Sequence, residues 1–213
     1  MGDPVGYFTK TTLHRSICML KFYICFYIYD EMRARGGYDL KKHSLFIPEH
    51  VTDNIYSITP FLLAAGGYRG VIFDLDNTVA PYERLRPDEA TMNYFAALAK
   101  AGIQTALVSN NRRERIELFN EKLGVFTVAD AQKPSPHGVR RCIEAFGLPS
   151  ENVLFVGDQI FTDCLAAHRA GIDCYLVKPI KSKETIFFRL KRALETPFLS
   201  VYRRRKIKSK GCN

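Results

Sequence analysis

Between Gly70 and Val177 the chain alternates short runs of β-branched and aromatic residues with longer segments whose apolar residues recur every three or four positions. The runs at Val71–Phe73, Ile103–Val108, Val125–Ala129, Val153–Val156 and Cys174–Val177 read as buried strands. The intervening segments read as helices. The first is opened by Pro87 and stopped at Gly102; the others bury Ile116, Phe119 and Leu123, then Val139, Cys142, Ile143 and Phe146, then Leu165 and Ala166, and stop at Gly124, Gly147 and Gly171. A parallel sheet covered by helices on both faces is the arrangement that buries both kinds of segment. The expected fold is therefore α/β, a single Rossmann-like three-layer α/β/α domain with a five-stranded parallel sheet.

Polar residues stand where the strands end. Val71-Ile72-Phe73 leads into Asp74-Leu75-Asp76, the second strand into Ser109-Asn110-Asn111, the third into Lys133-Pro134, and the fourth into Gly157-Asp158. Alternation along extended chain points Asp74 and Asp76 the same way, and two carboxylates so close are unfavourable without a cation or a shared proton. In open α/β sheets the ligand crevice lies beyond the carboxyl ends of the strands. Asp74, Asp76, Ser109, Lys133 and Asp158 should converge there although they are far apart in the chain. Three carboxylates suit a hard cation such as Mg²⁺, and the cation with Lys133 and the Ser109 hydroxyl suits a phosphate. Asp74 would attack phosphorus to give an aspartyl-phosphate; Asp76 would protonate the leaving alcohol and later activate water. Taken singly, Asp-x-Asp reads as a turn or helix cap, Ser109 as a cap and Lys133 as a solvated loop lysine; only their recurrence at strand ends points to a site.

Asp74-Leu75-Asp76-Asn77-Thr78, Ser109, Lys133-Pro134 and Gly157-Asp158-Gln159-Ile160-Phe161-Thr162-Asp163 resemble the four motifs of the haloacid dehalogenase superfamily, in order and spacing. The resemblance spans about Leu45 to Ile180 and is nearest to the subfamily IIIA phosphatases of YqeG type, which are similar to mitochondrial phosphatidylglycerophosphate phosphatases. It implies Asp74 as nucleophile, Asp76 as acid/base and also a metal ligand through its carbonyl, and Asp74 and Asp158 as metal ligands. It further implies Thr78, Ser109, Asn110 and Lys133 around the phosphate, Asp163 orienting Asp158 or a water on the metal, and Mg²⁺ as cofactor. Thr78 and Ser109 are too close in sequence for a cap domain, as are Asn111 and Lys133. The implied enzyme is a capless phosphomonoester hydrolase, open to a phosphate carried on something large. A phosphatidylglycerophosphate-like lipid is the favoured substrate, with a soluble sugar phosphate, nucleotide or phosphoprotein as the alternative.

The rest of the chain divides into an extension over 1–43, the catalytic domain over 44–180, and a helix with a basic tail over 181–213. With 46% apolar residues in 213, one full core is available. Within 44–60, Pro48 is expected to open a helix carrying Val51, Ile55 and Ile58, and Thr59-Pro60 a further turn ended by Gly66-Gly67. The apolar run Ile17–Tyr29 is interrupted by Lys21 and is too short to span a bilayer, for which ~20 residues are needed. Residues 1–30 only loosely resemble a targeting segment, so targeting, interfacial contact and a loose extension all stay open. The formal charge of +9 resides in the C-terminal segment: residues 178–213 hold twelve Lys and Arg against Glu184 and Glu195. With Phe187, Phe188, Phe198, Leu199 and Tyr202 beside them, these charges suit an anionic membrane surface and also nucleic acid, so a nucleic-acid-binding protein using this tail is a further alternative and a solvated helix end the plain one; the open site and the lipid-phosphatase resemblance favour the membrane. The six cysteines form no C-x-x-C pair and read as reduced thiols of a cytosol-like compartment. A cytoplasmic protein, peripheral at a membrane, is the expectation.

Overall fold

The computed structural model of the protein describes residues 44–180, 194–204 and 207. The extension over 1–43, with its targeting-like run, and most of the tail over 181–213 lie outside the described residues. Six strands form one wholly parallel sheet: β1 (His50–Thr52), β2 (Gly70–Asp74), β3 (Gln104–Val108), β4 (Phe126–Val128), β5 (Val153–Gly157) and β6 (Asp173–Val177), in the spatial order β1-β6-β5-β2-β3-β4. The helices between them are α1 (Pro60–Ala65), α2 (Glu89–Lys100), α3 (Arg113–Asn120), α4 (His137–Phe146) and α5 (Leu165–Ala170), the last entered through a π-helical turn, Ile160–Cys164. A further helix covers 194–204.

The sheet has six strands rather than the expected five, and the additional one, β1, lies where Pro48 was expected to open a helix. His50, Val51 and Thr52 instead pair in parallel with Tyr175, Leu176 and Val177 of β6. The apolar residues that suggested one helix face go to opposite sides of the sheet, Ile55 and Ile58 into one core and Val51 against the other. A three-residue edge strand carries too little sequence for a period of two to be told from a helical one. Pairing with β6 decides it.

Alternation along β2 builds the two cores. Val71 and Phe73 face Tyr94, Phe95 and Leu98 of α2 and Ile116 and Phe119 of α3. Ile72 faces the opposite way, toward Val139, Cys142 and Phe146 of α4 and Cys164, Ala166 and Ala167. Every residue of β2 and β5 is buried, as strands covered on both faces must be. The chain builds outward from β2 through β3 to β4, then returns to place β5 on the other side of β2. This reversal leaves a crevice at the carboxyl ends of β2 and β5, where Asp74 and Asp158 emerge.

Candidate active site

Asp74 ends β2 with its side chain buried, and Lys133 reaches it from the loop after β4: Lys133 Nζ donates to Asp74 Oδ1 at 2.5 Å and to Asp163 Oδ1 at 2.7 Å. Burial works against the ammonium, yet Asp163 and Asp74 overcome it and raise the Lys133 pKa above its ordinary value. The opposite balance holds at Asp74. Burial raises its carboxyl more than Lys133 lowers it, and with Asp163 and Asp76 adding repulsion the pKa is pushed up to about 7.

The loop after β5 is built around Asp163. Its Oδ2 accepts from the backbone N–H groups of Asp158 at 3.1 Å and Gln159 at 3.0 Å, pinning the chain as it leaves the strand. The approach is so close that a Cβ at Gly157 would lie 2.5 Å from the Asp163 Cβ. Only glycine leaves that room. Asp74, Asp158 and Asp163, all buried, each offer a carboxylate oxygen within 4.8 Å of the others. An all-oxygen anionic donor set of this kind fits a hard divalent cation. The Asp76 carboxylate lies outside that group.

Asp76 is caged instead. Its Oδ2 accepts from the Ser109 hydroxyl at 3.1 Å and from Asn111 Nδ2 at 3.3 Å, and its Oδ1 from Arg115 Nη2 at 3.3 Å. Ser109 is itself oriented by the Asn111 N–H at 2.9 Å. Asn110 clamps the lysine loop from both sides, Nδ2 donating to the Lys133 carbonyl at 2.9 Å and Oδ1 accepting from the Lys133 N–H at 2.7 Å. These groups open on a cavity of about 310 Å³ lined by Asp74, Asp76, Ser109, Asn110, Lys133 and Asp163 among others. Asp158 and Thr78 do not line it. Thr78 is buried beneath the loop with its hydroxyl unbonded. That loop folds tightly: the Ala80 N–H returns to Leu75 O at 3.1 Å while Asn77 takes a φ of 68°.

Sequence reasoning passed over several contributors. Gln159 and Thr162 line the cavity wall, and Arg115 lies on α3 as one basic residue among Arg112, Arg113 and Arg115. Spacing alone does not single it out. Glu195, in the C-terminal helix, is buried and accepts from the Ile160 N–H at 3.0 Å, while Phe198 packs with Phe46 and Phe161. His168 is buried and bridges Leu45 O and Glu49 Oε2, each at 3.0 Å. It ties the lead-in segment to α5, away from the cavity.

The sheet order and this cluster define a Rossmann-like α/β enzyme with an acid-rich, anion-accepting centre at its switch point. Residues 79–171 match the haloacid dehalogenase-like hydrolases. The chain is also 34% identical over 166 residues to the "Probable phosphatase YqeG" of Bacillus subtilis (strain 168), a match covering 78% of this chain and 95% of that one. The protein belongs to the haloacid dehalogenase-like hydrolases and is a phosphatase. It is more distantly similar to the "Phosphatidylglycerophosphate phosphatase 1, chloroplastic/mitochondrial" of Arabidopsis thaliana, 26% identical over 180 residues, where the match spans 79% of this chain and about half (51%) of the relative. Among solved structures, a putative haloacid dehalogenase-like hydrolase from Bacteroides fragilis aligns with a TM-score of 0.45 at 16% identity, over 55% of this chain and 91% of that one.

Proposed function

We propose that the protein is a Mg²⁺-dependent phosphomonoesterase working through an aspartyl-phosphate on Asp74, with a phosphatidylglycerophosphate-like lipid as substrate. The observation that carries the reading is the buried Lys133 bridging Asp74 and Asp163 beside Asp158, which assembles a nucleophile, a cation for phosphate oxygens and an oxygen donor set. Asp74, Asp158 and Asp163 would hold Mg²⁺, whose charge would offset the repulsion between carboxylate and phosphate. Lys133 and the Ser109 hydroxyl hold phosphate oxygens, and Asn110 keeps the Lys133 backbone in register. An Asp74 oxygen attacks phosphorus as the bond to the leaving oxygen breaks, and Asp76 delivers a proton to that oxygen. Asp76 then takes a proton from water as the water oxygen attacks phosphorus and Asp74 is released.

The lipid assignment draws support from the named activity of the Arabidopsis relative and from exposed apolar side chains, one of them lining the cavity. Tyr82, which lines it, and Leu85 are about half exposed, and Ile180, also exposed, donates its N–H to Asn77 O at 2.9 Å. Arg203 and Arg204, exposed in the helical stretch 194–204, suit peripheral contact with an anionic bilayer. Among the described residues no helix is long and apolar enough to cross a membrane.

The test is phosphate release from phosphatidylglycerophosphate in anionic vesicles, beside a soluble phosphomonoester panel, with Mg²⁺ and with chelator. Metal-dependent release that is fastest from the lipid vesicles and absent in Asp74→Asn supports the reading. Release from the soluble panel alone discards the lipid, and an active Asp74→Asn protein discards the mechanism.

A further inference from the structure

Arg115 is a buried arginine that satisfies little of its own hydrogen-bonding capacity. Its side chain is 8% exposed; Nη2 donates to Asp76 Oδ1, while Nε and Nη1 are buried with no hydrogen-bond partner. Its guanidinium carbon lies 5.4 Å from the ring centre of the fully buried Phe119. Buried donors left unmade are costly, so an apolar side chain of similar length over Phe119 would spare this position that cost. What the arginine supplies that an apolar residue lacks is its hold on Asp76.

The cage around Asp76 is unequal. On Oδ2 the donors are Ser109 and Asn111, which also line the cavity, and in the proposed reaction the Ser109 hydroxyl is wanted by phosphate. On Oδ1 the donor is Arg115, which does not line the cavity and is braced by Phe119. A phosphate oxygen that draws off the Ser109 hydroxyl loosens Oδ2 and leaves Oδ1 held. We propose that Arg115 is a positioning residue, a fixed pivot on which the Asp76 carboxyl turns from Ser109 toward the leaving oxygen and later toward water.

The pivot rests on Asp76 being the acid/base, and its signature is dependence on the leaving group. When the phosphorus–oxygen bond breaks, a phenolate of weak basicity departs without a proton, whereas a more basic one takes a proton from Asp76. A misplaced Asp76 therefore slows formation of the aspartyl-phosphate only for poor leaving groups, although it slows the later attack of water for all of them.

The experiment measures kcat/KM and kcat of the full-length chain with Mg²⁺ on 4-nitrophenyl phosphate and on phenyl phosphate. The variants are Arg115→Met, which keeps a stem over Phe119 and removes the orphaned donors, and Arg115→Lys. For Arg115→Met we expect kcat/KM to fall about threefold or less on the nitrophenyl ester and about 100-fold on the phenyl ester, with kcat reduced on both. Asp76→Ala should show the same pattern, and adding Arg115→Met to it should cost nothing more. Arg115→Lys, with one flexible ammonium in place of the braced fork, should fall between the two and serves if the methionine variant does not fold. Equal losses on the two esters, or losses that multiply in the double variant, overturn the pivot and leave the phosphatase mechanism standing. Turnover of neither ester by the unaltered protein overturns both.

Discussion

Replacing Asp74 with Asn should abolish turnover and at the same time stabilise the fold at alkaline pH. Burial and two neighbouring carboxylates raise the Asp74 carboxyl from its ordinary 3.8 to about 7 despite Lys133. In the unfolded chain it loses its proton near 3.8, so between that pH and about 7 the folded state binds the extra proton. The stabilisation is complete below the lower value and is lost as pH rises through the higher one. A displacement of that size corresponds to about 4 kcal/mol, or about 10 °C in melting temperature for a chain of this length. Asparagine does not titrate and can still accept from Lys133, so the variant lacks this loss. The assay is urea unfolding of both proteins with chelator at pH 5, 6, 7 and 8. The variant's advantage should grow with pH and level off above about 7, and millimolar Mg²⁺ should shrink it by neutralising the cluster. An advantage that does not change between pH 5 and 8 would refute the claim that the Asp74 charge is what burial opposes.

Lys133→Met removes the ammonium between Asp74 and Asp163 and strands two buried carboxylates, so urea unfolding at pH 8 should register a loss of about 3–5 kcal/mol that is smaller at pH 5. Gly157→Ala forces a methyl group against Asp163, 2.5 Å from its Cβ; overpacking of about 1–3 kcal/mol should appear in thermal melts, with weakened metal binding by isothermal titration. Phe198→Ala opens the ring cluster with Phe46 and Phe161 and should cost roughly 2 kcal/mol in chemical unfolding. Because Phe161 precedes the cavity residue Thr162, a lowered kcat should accompany it.

Much of this architecture is readable from local pattern. Val71, Ile72 and Phe73 are apolar without a break because both faces of β2 are covered, and the glycines after the helices include Gly102, Gly124, Gly147 and Gly171, all with positive φ. The positions of Asp74, Ser109 and Asp158 at strand ends, and of Lys133 in the loop that follows β4, stand out against the same alternation, so the site is legible in the sequence itself. The strand at His50–Thr52 was not, because three residues are shorter than any period that tells strand from helix.

What the chain determines by itself is therefore whatever repeats within about ten residues: strand, helix, stop, and a polar group at each strand end. Partnerships across long separations were decided by packing. Strand alternation pointed Asp74 and Asp76 alike, but the sheet ends at Asp74, and Asp76 turns to Ser109, Asn111 and Arg115. Asp163 reaches into the acidic cluster because the π-helical turn swings it back under Gly157. Glu195 caps the Ile160 N–H from 35 positions away, and the Tyr202 hydroxyl accepts from the Val51 N–H across 151. No local propensity encodes such pairs. They exist because a closed core leaves each buried donor few acceptors within reach, and the fold alone determines which.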